Sequence, residues 1–120
     1  SAVFIDKYGI APAIRESVAE ALEKLELDPK NVSVLLDGSL FAPKEYKQET
    51  IIGGDGLIPA IMLASVAAKV TRDRYMKKVA LEYPGYGFEV HKGYGTKGHY
   101  EAIKKHGLVA LHRRSFLRRL

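Results

Sequence analysis

The chain has 120 residues, 47% of them hydrophobic and 28% charged, which is the composition of one folded domain and excludes a disordered segment. It has no cysteine, which excludes disulfides and thiolate metal sites and fits a reducing compartment such as the cytoplasm. The net charge of +5 is unevenly spread: residues 1–90 carry eleven basic and thirteen acidic side chains, residues 91–120 carry eight basic and one acidic, and all four histidines lie in that last quarter.

The opening residues, Ser1 to Asp6, have neither a basic stretch nor a long apolar run, so they do not read as a signal peptide. A helix is expected over 11–27, with Pro12 in its first turn and Ile14, Val18, Ala21, Leu22 and Leu25 at helical spacing. Asp28-Pro29-Lys30-Asn31 signals a turn. The β-branched and leucine run over 32–36 (VSVLL) is the best strand in the chain, and 46–52 is a weaker one. After a glycine loop over 53–56, a long helix is expected from 57 to about 81. Its first half is apolar nearly all round and should be buried, whereas its second half, with Arg72, Asp73, Arg74, Lys77 and Lys78, should emerge into water. The nearly uncharged apolar run over 57–68 spans 12 residues, against roughly 20 for a membrane helix, so no membrane partner is expected. Residues 83–98, rich in glycine and tyrosine, read as loop, and 99–106 as a short helix closed by Gly107. This order of helices and strands reads as α/β.

The basic quarter contains Tyr94, Tyr100, Ile103, Leu108, Val109, Leu111 and Phe116. A solvated tail would lack such apolar anchors, so it reads as a folded basic surface for a polyanion. Asp37 stands at the carboxyl end of the first strand, where ligand sites gather in open α/β sheets. Asp55 precedes the long helix. Turn and cap roles compete for both residues; if the two carboxylates converge, they suit Mg²⁺, which prefers oxygen ligands. Gly93-Tyr94-Gly95-Thr96-Lys97-Gly98 has the spacing of a dinucleotide loop. It lacks a preceding strand, however, and no acidic residue follows Glu101 to bind a ribose. The histidines are not at metal-binding spacing, and no serine lies in a nucleophile elbow.

Several segments together resemble one family. Residues 64–74 (ASVAAKVTRDR) look like a helix signature of ribonuclease HII, 91–96 (HKGYGT) resemble its substrate loop, and 112–116 (HRRSF) are similar to its basic motif near the terminus. Asp37-Gly38 and Asp55 resemble its two C-terminal catalytic aspartates, and 5–22 resembles the segment leading into its middle helix. The resemblance implies a ribonuclease H-like α/β fold and a Mg²⁺- or Mn²⁺-dependent endonuclease. Such an enzyme hydrolyses the RNA strand of RNA–DNA hybrids and incises DNA containing ribonucleotides. It makes Asp37 and Asp55 catalytic metal ligands and places Tyr94 against the sugar beside the ribonucleotide. Lys69, Arg72, Lys92, Arg113 and Arg114 would be phosphate or structural contacts, with Asp73 orienting Arg72 or Lys69.

The chain departs from the family at the adjacent Asp-Glu pair and the Gly-Arg-Gly loop, neither of which it contains, and at Gly53, where the family usually has lysine. It therefore resembles the C-terminal part of such an enzyme: a partial ribonuclease H-like domain over 1–120 whose basic substrate-binding part is 91–120. Weak or no activity alone is expected, as is self-association through surfaces that the absent strands would cover. The rival readings are a non-catalytic nucleic-acid-binding module and a structural truncation.

Overall fold

The computed structural model describes residues 1–117; residues 118–120 of the expected basic part lie outside the described residues. The chain divides into two compact units. One comprises Ser1 and Val3–Ser65, the other Ala2 and Val66–Leu120.

The first unit opens with two helices. Helix α1 (Ala2–Tyr8), which the sequence pattern did not announce, starts where the Ser1 hydroxyl accepts the Phe4 N–H at 3.3 Å. Gly9, at φ 89°, separates it from α2 (Ile10–Lys24). Helix α2 stops short of the expected residue 27: Glu26 takes φ 51°, and Leu25 and Leu27 are exposed. Ile14, Val18 and Leu22 form its half-buried face.

Strands β1 (Ser33–Asp37) and β2 (Lys47–Ile51) pair in parallel, with Ser33 opposite Lys47 and Asp37 opposite Ile51. Parallel strands are usually joined by a helical crossover of about a dozen residues or more. Here residues 38–46 make the connection without a helix, and side chains of β2 hold it in place. The Gln48 carboxamide accepts the Ala42 N–H at 2.8 Å and donates to the Ala42 and Pro43 carbonyls at 3.1 and 3.2 Å; the Thr50 hydroxyl donates to Leu40 O at 2.9 Å. The polar sequence of β2 thus supplies tertiary hydrogen bonds.

A single helical turn, α3 (Gly54–Leu57), leads into the long helix α4 (Pro59–Glu82), which is shared by both units. The expected burial of the first half of α4 is not found, whereas Arg72, Arg74, Lys77 and Lys78 of its second half are exposed as expected. In its first half Met62, Leu63, Val66 and Val70 are exposed, and Ile61 alone is buried. In its charged second half Met76 and Val79 are buried. An apolar helix is buried all round only if other elements pack on several sides of it.

The second unit gathers its core around that second half. Met76, Val79, Tyr86, Phe88, Ala102 and Ile103 form one buried cluster. Residues 83–98 are not all loop, as expected, but contain α5 (Phe88–His91). They also supply the centre of the core, because Gly85 (φ 89°) and Gly87 (φ 73°) turn the chain sharply enough to bury Tyr86 and Phe88. The Tyr86 hydroxyl donates to Gly107 O at 2.8 Å. Helix α6 (Lys97–His106) begins at Thr96, whose hydroxyl accepts the His99 N–H at 3.3 Å, and ends at Gly107, at φ 84°. A short 3₁₀ turn, Arg114–Phe116, follows.

Candidate functional site

In the first unit Asp37 ends β1, and Asp55 follows Gly54, whose N–H Asp37 accepts. The half-buried Asp37 accepts the Gly54 N–H on Oδ1 at 2.8 Å, while the Gly38 N–H goes to Ile51 O at 3.1 Å. Asp37 therefore fastens the glycine loop to the strand end. Asp55 follows Gly54 in the first turn of α3 and is exposed; the cap of that turn is Gly53, at φ 70°. Both aspartates offer hard oxygen donors, and a divalent cation such as Mg²⁺ is commonly held by one or two carboxylates and several waters. The donor set fits such an ion. Among the described residues no group of three or more His, Asp or Glu side chains is placed to hold a metal.

Gly54 has little room for a side chain. A Cβ there would lie 2.6 Å from Ile61 Cδ1, 3.4 Å from Ile51 Cβ and 3.6 Å from Asp37 Oδ1. Gly54→Ala is expected to push the tip of the Ile61 side chain aside and lower stability by about 1 kcal/mol, the low end of overpacking costs, in urea denaturation. An unchanged midpoint would show that the loop is looser than this packing implies.

The second unit holds the candidate substrate residues. Tyr94 is 57% exposed on the loop between α5 and α6. The Arg72 guanidinium lies 5.8 Å from the Tyr94 ring centre and donates to the Lys92 carbonyl at 3.2 Å. Lys92 takes φ 52° and its ammonium donates to Glu89 O. Arg72, Lys92 and Tyr94 thus form one group. Lys69 pairs with Asp73 at 3.0 Å; this hydrogen bond, and then the Asp73 charge, raise the Lys69 pKa above its ordinary value. Asp73 thus orients Lys69 one turn away along α4. Arg113 lies over the Phe116 ring at 4.3 Å, and Arg114 opens the 3₁₀ turn.

Sequence reasoning missed the part played by histidine. His91 and His99 stack with centroids 4.3 Å apart, and His99 Nε2 lies 3.1 Å from His112 Nε2. Spacing gave no signal, because most partners of these rings are backbone groups of turns. His99 and His112 are buried, and both pKa values fall below the ordinary histidine value. Burial is the main cause, reinforced by His91 beside His99 and by His99 beside His112; the hydrogen bond from His99 to the Tyr94 carbonyl acts in the opposite direction.

A mixed α/β chain with two parallel strands, one of them ending at Asp37, is consistent with a partial fold of the ribonuclease H type. A model of the ribonuclease HII family matches residues 2–119, and the chain belongs to that family. It is 47% identical over 112 residues to a protein of Shewanella piezotolerans, 46% to one of Shewanella halifaxensis and 44% to one of Coxiella burnetii, each named ribonuclease HII. Each alignment covers 93% of this chain and 54% of the relative, so the chain spans about half the length of the curated relatives it matches. Among the described residues no helix is long and apolar enough to cross a membrane.

Proposed function

We propose that this chain supplies the nucleic-acid-binding face and two of the metal-binding carboxylates of a ribonuclease. The substrate would be the RNA strand of an RNA–DNA hybrid, or a ribonucleotide embedded in duplex DNA. The observation that carries the reading is the exposed Tyr94 ring, set on a loop whose backbone is tied to Arg72 in a chain of this family. An aromatic face held in place stacks on a sugar or base, while Arg72, Lys92, Arg113 and Arg114 offer positive charge to the phosphates.

In the first unit Asp37 and Asp55 would hold Mg²⁺ or Mn²⁺. Such an ion, when bound, polarises the scissile phosphate and activates water. Asp37 is held in place by the Gly54 N–H, so its second oxygen needs little reorganisation to act as a ligand. Asp55 contributes a carboxylate already in water, which limits its desolvation penalty.

The test is binding of a duplex carrying a single ribonucleotide against the same duplex in DNA alone, read by fluorescence anisotropy at several salt concentrations. Tyr94→Ala is expected to weaken binding to the ribonucleotide-containing duplex by about 1–3 kcal/mol, the usual worth of one stacked ring, with no change in the salt slope. Equal affinity for the two duplexes, untouched by Tyr94→Ala, would favour a non-catalytic binding module acting through phosphate contacts alone.

A further inference from the structure

We infer that His99 and His112 are positioning residues: as a pair of neutral imidazoles they fix the backbone of the Tyr94 loop and so set how that ring is presented. The consequence for substrate rests on the reading of Tyr94 given above.

The tautomers follow from the partners. The Tyr94 carbonyl can only accept, so His99 Nδ1, at 2.9 Å, carries a proton. The Val109 N–H can only donate, so His112 Nδ1, at 2.9 Å, presents its lone pair. A neutral His112 then carries its proton on Nε2 and donates it to the bare Nε2 of His99, 3.1 Å away. The result is one unbroken chain: Val109 N–H to His112, His112 to His99, and His99 to Tyr94 O. A second proton on His99 would face the His112 N–H, and a second proton on His112 would face the Val109 N–H. Only the doubly neutral state satisfies every ring nitrogen.

A parallel tie holds the preceding residue. His91 Nδ1 accepts the Gly93 N–H at 3.1 Å, and its Nε2, which therefore carries the proton, donates to Tyr86 O at 2.7 Å. Gly93 and Tyr94 are each held by a histidine, and Tyr94 O also accepts the Thr96 N–H at 2.8 Å. The titratable groups around the pair are His91 of α5, Tyr86 ahead of it with its ring 5.7 Å from His112, and Tyr100 of α6, 6.4 Å from His99. Arg113 adjoins His112 along the chain, with its guanidinium over Phe116. None of these is a carboxylate that would favour imidazolium.

The pH dependence has a definite sign. Native pKa values lie below the ordinary 6.5 of both histidines, so the unfolded chain takes up protons first as pH falls. The tie is therefore fully present above pH 6.5 and is lost as pH drops through the lowered native values.

The experiment uses the 120-residue chain. Imidazole ¹⁵N spectra at pH 7.5 should show His99 protonated on Nδ1 and His112 on Nε2; the reverse tautomers, or a cationic ring, would overturn the inference. Amide exchange gives the second reading. His112→Phe keeps the bulk and removes the relay, and is expected to speed exchange of Gly93, Tyr94 and Thr96, whose amides are hydrogen-bonded in this loop, by roughly tenfold, the worth of one lost hydrogen bond. Val79 and Ile103 amides should not change. His112→Gln, which keeps a donor for His99, should restore part of the protection. The wild-type loop should loosen in the same way as pH falls through the lowered native values. Unchanged loop exchange in His112→Phe would overturn the positioning role. If the loop loosens while neither His112→Phe nor Tyr94→Ala alters binding to a ribonucleotide-containing duplex, positioning of the loop stands and Tyr94 is not a substrate contact.

Discussion

Phe88→Ala is expected to destabilise the second unit by about 3–5 kcal/mol, a large share of the whole stability of a small domain. The Phe88 ring is 2% exposed and stands at the centre of the core. Tyr86 stacks on it at 5.3 Å, and Tyr83 meets it edge-on at 6.5 Å. His91, His99 and His112 lie against it at 5.7, 5.4 and 6.0 Å. Truncation therefore leaves a cavity lined by rings that are themselves tied to backbone groups and cannot collapse freely. Urea unfolding followed by tyrosine fluorescence measures the loss, with Val90→Ala, 77% exposed, as a control expected to stay within about 0.5 kcal/mol. A Phe88→Ala midpoint close to that of the control would mean that the aromatic cluster is not the core. The Tyr94 loop should loosen together with the core in this variant, because His99 and His112, which hold the loop, pack against Phe88.

On the proposed reading of the site, Asp37→Asn and Asp55→Asn are each expected to lower Mn²⁺ affinity by tenfold or more, because each removes a carboxylate ligand. They differ in their effect on the fold. The Asp37 carboxylate accepts a backbone N–H, so its replacement weakens a charge-assisted hydrogen bond as well as a ligand. Asp55 is exposed, and its replacement should leave the denaturation midpoint unchanged within about 0.5 kcal/mol. Titration of Mn²⁺ into the three proteins checks both statements; equal affinity in wild type and Asp55→Asn would remove Asp55 from the site. Turnover follows the same logic. On the proposed reading, and with no group of three or more metal-holding side chains among the described residues, much of the field that stabilises the transition state would be missing.

What the sequence disclosed depended on whether an element's stability is local. Strand β1 was legible because VSVLL is β-branched and apolar. Strand β2 was faint because Lys47, Gln48, Glu49 and Thr50 are polar, and their pairing and side-chain bonds to residues 40–43 come from tertiary structure. Helix α1 was missed because it is seven residues long and begins on one serine cap. Composition misread α4: apolar residues all round imply burial only where partners exist, and Met76 and Val79 found them among charged neighbours. Residues 83–98 read as loop because glycine and proline punctuate them, yet those glycines are what fold Tyr86 and Phe88 inward. The places of Asp37 and Asp55 were legible because a strand end and the start of a helix are set by local sequence. The histidines were not, since a ring that holds a backbone carbonyl five residues away leaves no spacing rule to find.

The most direct measurement is single-turnover cleavage of a duplex carrying one ribonucleotide, with Mg²⁺ and then Mn²⁺, by the purified 120-residue chain beside the full-length Shewanella piezotolerans relative. The account predicts binding that favours the ribonucleotide over plain DNA, with cleavage slower than the relative's by on the order of 10²-fold or more. Any residual cleavage should disappear in Asp37→Asn and Asp55→Asn. Cleavage at the relative's rate, or residual cleavage that survives both substitutions, would contradict it.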